Sequence, residues 1–282
     1  MTKVISDDGY PKKLEVVQPV SVTFNVPTES IELPSKGLVY PKDHPLSSGY
    51  VMIKHMTAKE EDILTTESFI KNETVLDKFL QSLLVQEGVY LYDFVLGDID
   101  ALMVAARIFG YGPIYDGTVQ TPSGKSQPTQ IDLSELQLKF ISEEAVQNNK
   151  NEFKFQLPAS KVDVVFKLLT NRDEHNLQAE IKRQNKPGNS FVSTATKNST
   201  LSLKYILVEV NGSREKGDIE KFVESMLAYD ARALRKYIAE IEPGVNLSVE
   251  VTDKETGEPF QTSITLGIGF LWPDAKLQNA YS

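Results

Sequence analysis

Few residues in this 282-residue chain are placed to do chemistry. Thr121-Pro122-Ser123-Gly124-Lys125-Ser126 ends in Gly-Lys-Ser, the close of a phosphate-binding loop. A cradle of amides around a phosphate also needs a glycine at position 119, which is Val119, and Gly117 lies two residues out of register. The segment therefore reads as a β-turn with a solvated lysine. Carboxylates cluster at Glu60-Glu61-Asp62 and at Asp98 with Asp100. Residues one or two apart on a helix face different ways, so these read as first-turn acids and not as an acid/base pair. Asp230, Arg232 and Arg235 form a charged group at a helix start and read as a cap with intrachain ion pairs. The histidines, His44, His55 and His175, stand in no acid–His–Ser order; His55 lies in an apolar strand and His175 in a charged helix. There is no cysteine, which removes disulfides, thiol nucleophiles, Cys-ligated zinc and iron–sulfur clusters. With no dinucleotide fingerprint or calcium loop either, the sequence offers no catalytic, cofactor-binding or metal-binding set, and a non-enzymatic protein is expected.

The elements that would hold such residues recur along the chain. Residues 51–64, VMIKHMTAKEEDIL, match residues 164–177, VVFKLLTNRDEHNL, at five identical positions. Further anchors keep the same order: Leu33-Pro34 with Leu157-Pro158, Asn72 and Thr74 with Asn198 and Thr200, and Gly97-Asp98 with Gly217-Asp218. Ile131-Asp132-Leu133-Ser134 with Val245-Asn246-Leu247-Ser248, and Phe155 to Pro158 with Phe270 to Pro273, complete the set. Offsets of 113 to 126 fit a tandem duplication with loop insertions. In each copy a period-two, β-branched run reads as a strand, then Thr57 with Glu60, or Thr170 with Asp173, reads as the capping box of a helix. Asp98 and Asp218 are expected to cap the next helices, and Asp230 a further one running to Ile241. Each copy closes with a hairpin; the second spans residues 246–268 with its turn at 252–257.

The expected fold is α+β, two weakly similar modules of short helices on small antiparallel or mixed sheets. Residues 1–29 read as a polar strap ending in a strand at 21–26, 30–158 as module 1, 159–275 as module 2 and 276–282 as a tail. Residues 27–45 and 118–130 read as irregular loops, 184–198 as a flexible finger, and the modules join near 148–151. Thirty Lys and Arg against 39 Asp and Glu give a net charge of -9, which argues against binding nucleic acid or an anionic membrane. No apolar run approaches the 18 or so residues of a spanning helix, and residues 1–10 lack a signal-peptide core. A soluble protein of a reducing cytoplasm is expected. Eleven Tyr and thirteen Phe supply anchors for protein contacts, with Tyr40, Tyr50, Tyr111, Tyr115 and Trp272 the candidate interface residues.

Leu33-Pro34-Ser35-Lys36-Gly37-Leu38-Val39-Tyr40-Pro41, leading through Pro45-Leu46 into residues 51–64, resembles the baseplate hub proteins of T-even-like contractile-tailed bacteriophages. Similar to that family too are residues 100–115, Ile131 to Ser134, Phe155 to Pro158, residues 222–243 with Asp230-Ala231-Arg232-Ala233-Leu234-Arg235, and Phe270 to Pro273. The resemblance covers about residues 30–275 and consists of short patterns. Family members often carry a Cys-Pro-x-Cys-Gly knuckle where this chain has Thr121-Pro122-Ser123-Gly124, so a zinc-ligand role is not carried over. The resemblance implies a virion structural protein, located in the tail baseplate and in the host cytoplasm during assembly. Its partners would be hub, tube or wedge subunits, with several copies per virion and no cofactor. An assembly chaperone absent from the finished particle, and a tail-associated cell-wall hydrolase, remain the alternatives.

Overall fold

The computed structural model describes residues 25–146, 149–184 and 194–271. In chain order the elements are β1 (Thr28–Glu32), β2 (Tyr50–Lys54), α1 (Ala58–Thr65), α2 (Glu67–Lys71), α3 (Val75–Leu83) and α4 (Leu96–Tyr111). Then come β3 (Ile114–Gln120), β4 (Ser126–Asp132), β5 (Leu138–Lys139), β6 (Phe153–Gln156), β7 (Asp163–Phe166), α5 (Asn171–Gln184) and α6 (Thr194–Ile206). The chain continues through β8 (Leu207–Val210), α7 (Lys216–Ser225), α8 (Ala228–Ile241), β9 (Gly244–Val245), β10 (Ser248–Thr252), β11 (Pro259–Ser263) and α9 (Ile268–Leu271). The fold is α+β, with short helices on small antiparallel sheets.

One order of elements occurs twice. β1 pairs antiparallel with β2, from Thr28↔Lys54 to Glu32↔Tyr50, and after α3 the chain returns beside β2 at the Ile53–Leu84 bridge. β6 pairs antiparallel with β7, from Phe153↔Phe166 to Gln156↔Asp163, and after α6 the chain returns beside β7 as β8. Alternation drives both strands: Val51 and Ile53, like Val164 and Phe166, turn into the core. Each unit then runs into a long helix, the largely buried α4 or the amphipathic α8, and a hairpin, β3–β4 or β10–β11.

The two units are not separate bodies. A single apolar core joins Leu33, Phe79, Phe94 and Leu102 to Phe153, Phe166, Leu234 and Phe270. β5 pairs with β9, Tyr115 packs on Phe270 with ring centroids 5.2 Å apart, and Val95 bridges Thr170. A Cβ built on Gly97 would lie 1.8 Å from Pro243 O, so only glycine lets α4 approach the end of α8 this closely.

Several expectations change. Asn25 to Pro27 are not strand; the strand is β1, inside the stretch expected to be irregular. Residues 118–130 form most of the β3–β4 hairpin, because Gly124 at φ +79° makes a tight turn that the polar composition had disguised as a loop. The β6–β7 hairpin straddles the expected 158/159 boundary, so the second unit begins near Phe153. Within 184–198, α6 starts at Thr194, while residues 185–193 lie outside the described residues, as do the strap up to residue 24 and the tail.

Candidate interaction surfaces

Each strand-to-helix junction carries the same three side chains. At the first, Lys54 Nζ lies 2.8 Å from Glu60 Oε1, while Thr57 N and Thr57 Oγ1 donate to Glu60 Oε2 at 3.0 and 2.5 Å. At the second, Lys167 Nζ lies 2.7 Å from Asp173 Oδ1, and Thr170 N and Oγ1 donate to Asp173 Oδ2 at 3.1 and 2.8 Å. The acid reaches back to the residue that starts the helix, and a lysine at the end of the strand, Lys54, or just past it, Lys167, neutralises it. Burial pushes the Glu60 carboxyl up, but Lys54 and the Thr57 donors hold it below its ordinary value. These sets anchor helices.

Asp98 is not a cap of its own helix, as the sequence suggested. It is the third residue of α4, fully buried, and accepts from Ser35 N at 2.9 Å, Ser35 Oγ at 2.6 Å and Tyr40 OH at 2.6 Å. Tyr40 OH accepts in turn from Val95 N at 3.1 Å. Burial raises both acids: Asp98 against the opposing pull of Ser35 and Tyr40, and Tyr40 with Asp98's charge adding to the effect. Tyr40, expected at an interface, is therefore a core residue, because its hydroxyl closes this network. Asp230, third in α8 and also buried, accepts from Ala159 N at 2.7 Å and Ser160 N at 3.0 Å. Both aspartates clamp the residues that follow Leu-Pro, Ser35 after Leu33-Pro34 and Ala159 after Leu157-Pro158. Asp230 is thus the counterpart of Asp98. Asp218, matched to it in the sequence, sits third in α7 and takes only an exposed bond from Ser213 Oγ at 2.7 Å.

Of the other expected interface residues, Tyr50 is half exposed and Trp272 lies outside the described residues. Tyr111 donates to Glu61 Oε1 at 2.7 Å and, with Tyr115, flanks the Arg107 guanidinium, so both serve internal packing. Arg107 donates to Gly112 O and Ile114 O at 3.1 and 3.2 Å and ties α4 to β3. The structure instead exposes Tyr90, Tyr92, Leu227 and Tyr229. Leu227 and Tyr229 flank the start of α8 and stand in solvent, although Leu227 keeps helical spacing with buried Ala231 and Leu234, so the sequence pattern did not mark it as exposed.

The remaining chemical candidates are structural. Lys125 at the Gly-Lys-Ser turn pairs with Glu255 at 2.7 Å, and buried Gln127 donates to Thr252 O and accepts from Lys254 N, so the two closing hairpins meet at their tips. The knuckle-like turn is held by Gly124 N to Thr121 O at 2.8 Å and Lys125 N to Thr121 Oγ1 at 3.2 Å. His55 stacks on Phe109, His44 Nδ1 accepts from Leu46 N, and His175 Nε2 lies 2.7 Å from Asp77 Oδ2. Asp230, Arg232 and Arg235 do not converge: Asp230 clamps its loop and Arg235 reaches Ser199 Oγ at 3.0 Å. Among the described residues no group of acids and histidines could hold a metal, and no helix is long and apolar enough to cross a membrane.

No protein-family model matches the chain, and no curated protein or solved structure matches it either.

Proposed function

We propose that this protein is a structural subunit of a phage tail baseplate, hub or hub-adjacent, that works through protein–protein contacts in virion assembly. The resemblance of residues 30–275 to the baseplate hub family is one support. The observation that carries most weight is how the chain uses its polar and aromatic groups. Its buried acids among the described residues, Glu60, Asp98, Asp230 and Asp253, are each consumed by loop, turn and helix anchors, while large apolar side chains such as Tyr90 and Tyr229 stand in solvent at element ends. Exposed aromatics of this kind are what a subunit gripped by neighbours presents. The doubled order of elements, read as a tandem duplication, gives such a subunit two related faces.

Purified particles test the reading. Mass spectrometry should find the chain at a stoichiometry comparable with other tail proteins, and a low-resolution map should place its density at the distal end of the tail. A chain lost from finished particles would make it an assembly chaperone instead.

A further inference from the structure

The seam between the two units is a strand-to-helix junction resting on a helix start. Leu96 N donates to Leu169 O at 3.1 Å, Asn171 N donates to Phe94 O at 2.8 Å, and Arg172 pairs with Asp93 at 3.1 Å. Both halves of this contact exist a second time. The junction recurs 113 residues earlier at positions 56–58, with its own lysine, threonine and acid. The helix start recurs 132 residues later at positions 226–228. There Met226 (φ -62°, ψ 133°) and Leu227 (φ -62°, ψ 137°) repeat the backbone of Phe94 (φ -69°, ψ 140°) and Val95 (φ -69°, ψ 151°).

What differs is cover. Val95 is 2% exposed and Asn171 7%, whereas Leu227 is 53% exposed and Ala58, in the place of Asn171, is open to solvent. We propose that the open helix start of one copy receives the open junction of a second copy, so that the chain associates head to tail by repeating its own internal seam. The charges suit that pairing. Lys59 stands where Arg172 stands and has no ion pair among the described residues, while Glu224 and Ser225 stand where Tyr92 and Asp93 meet Arg172. Glu224 is exposed and holds Lys204 through one oxygen, which leaves the other for Lys59.

The gap that only Gly97 fits faces Pro243 O and lies outside this contact, so Tyr229, in the place of Gly97, stands beside it. The second contact lacks the covalent tether that gives the internal seam a high effective concentration, so it forms only as the protein is concentrated. An interface of this heterologous type closes into a ring or grows into a filament. The proposal needs only the recurrence and stands apart from the baseplate reading.

Because the chain contains no cysteine, single cysteines report the contact directly. Full-length Lys59→Cys and Ser225→Cys, mixed in equal amounts and mildly oxidised, should cross-link to each other, and neither should cross-link alone. Sedimentation velocity of the natural sequence should show average mass rising with concentration. Leu227→Asp, at an exposed position, should raise the midpoint by about ten-fold or more, with circular dichroism unchanged. A monomer at every concentration, no cross-link in the mixture, equal cross-linking of either variant alone, or a Leu227→Asp midpoint like that of the natural sequence would each overturn the proposal.

Discussion

Asp98 shows how much one buried carboxylate can organise. Three donors from a loop 58 to 63 residues away converge on it, and its partner Tyr40 also accepts from the amide before α4. Removing the carboxylate leaves Ser35 N, Ser35 Oγ and Tyr40 OH buried without an acceptor, so Asp98→Ala should cost about 3–5 kcal/mol in urea unfolding. Tyr40→Phe removes one donor and strands Val95 N, and should cost about 1–2 kcal/mol. Asp100 behaves differently. Burial and the neighbouring Glu242 push its carboxyl up to about 6. A carboxyl whose folded pKa exceeds its unfolded one binds its proton more tightly when folded. Its contribution to stability is therefore full below the unfolded value of about 4 and is lost as the pH rises to about 6. Asp100→Asn should accordingly raise the melting temperature at pH 7.5, by about 1–2 kcal/mol of stability after allowance for its partial exposure, and have almost no effect at pH 4. Thermal melts at both pH values check this, and equal gains would contradict it.

Two glycines matched to one another in the sequence separate at the scale of elements. Gly97 in α4 faces Pro243 O at 1.8 Å from an added Cβ, while Gly217 in α7 meets nothing within 4 Å. Gly97→Ala must push α4 from the α8–β9 corner and should destabilise by about 3 kcal/mol, within the range of overpacking. Gly217→Ala should stabilise by about 0.5–1 kcal/mol through helix propensity alone. Opposite signs in chemical denaturation are the expected outcome. The two threonine junctions should behave alike, Thr57→Ala and Thr170→Ala each costing about 1 kcal/mol. These junctions were legible because a capping box and a period-two strand are local patterns. The pairing of Asp98 with Asp230 was not. Its offset of 132 lies beyond the 113 to 126 of the other anchors, and only the clamped Leu-Pro loops, far away in sequence, mark it. β1 and residues 118–130 were read as loops for a related reason: β1 is short and almost wholly exposed, and β3, although its burial alternates, turns Tyr115, Gly117 and Val119 inward rather than a run of large β-branched side chains.

For the whole molecule, the internal repeat suggested two modules, and the element order occurs twice, yet the packing makes them one. Each unit lacks something that the other supplies. The first lends Gly97 and Val95 to the corner at Pro243 and Thr170; the second lends β9 to β5 and Phe270 to Tyr115. Asn171 and His175 of the second unit also hold Asp77 of the first, at 3.0 and 2.7 Å. Separating the units would expose Phe94 and Phe270 and leave the β5 and β9 edges unpaired, a cost that neither half offsets alone. Such contacts are long-range and cannot be read from periodicity, which explains why the sequence suggested a string of modules. Unfolding should therefore be a single transition in calorimetry, with calorimetric and van't Hoff enthalpies in agreement, although chains above about 150 residues usually show intermediates. Residues 153–271 expressed by themselves should lack a cooperative melt. Two resolved transitions, or a separately folded second unit, would mean that the seam is a docking contact between independent domains rather than part of one core.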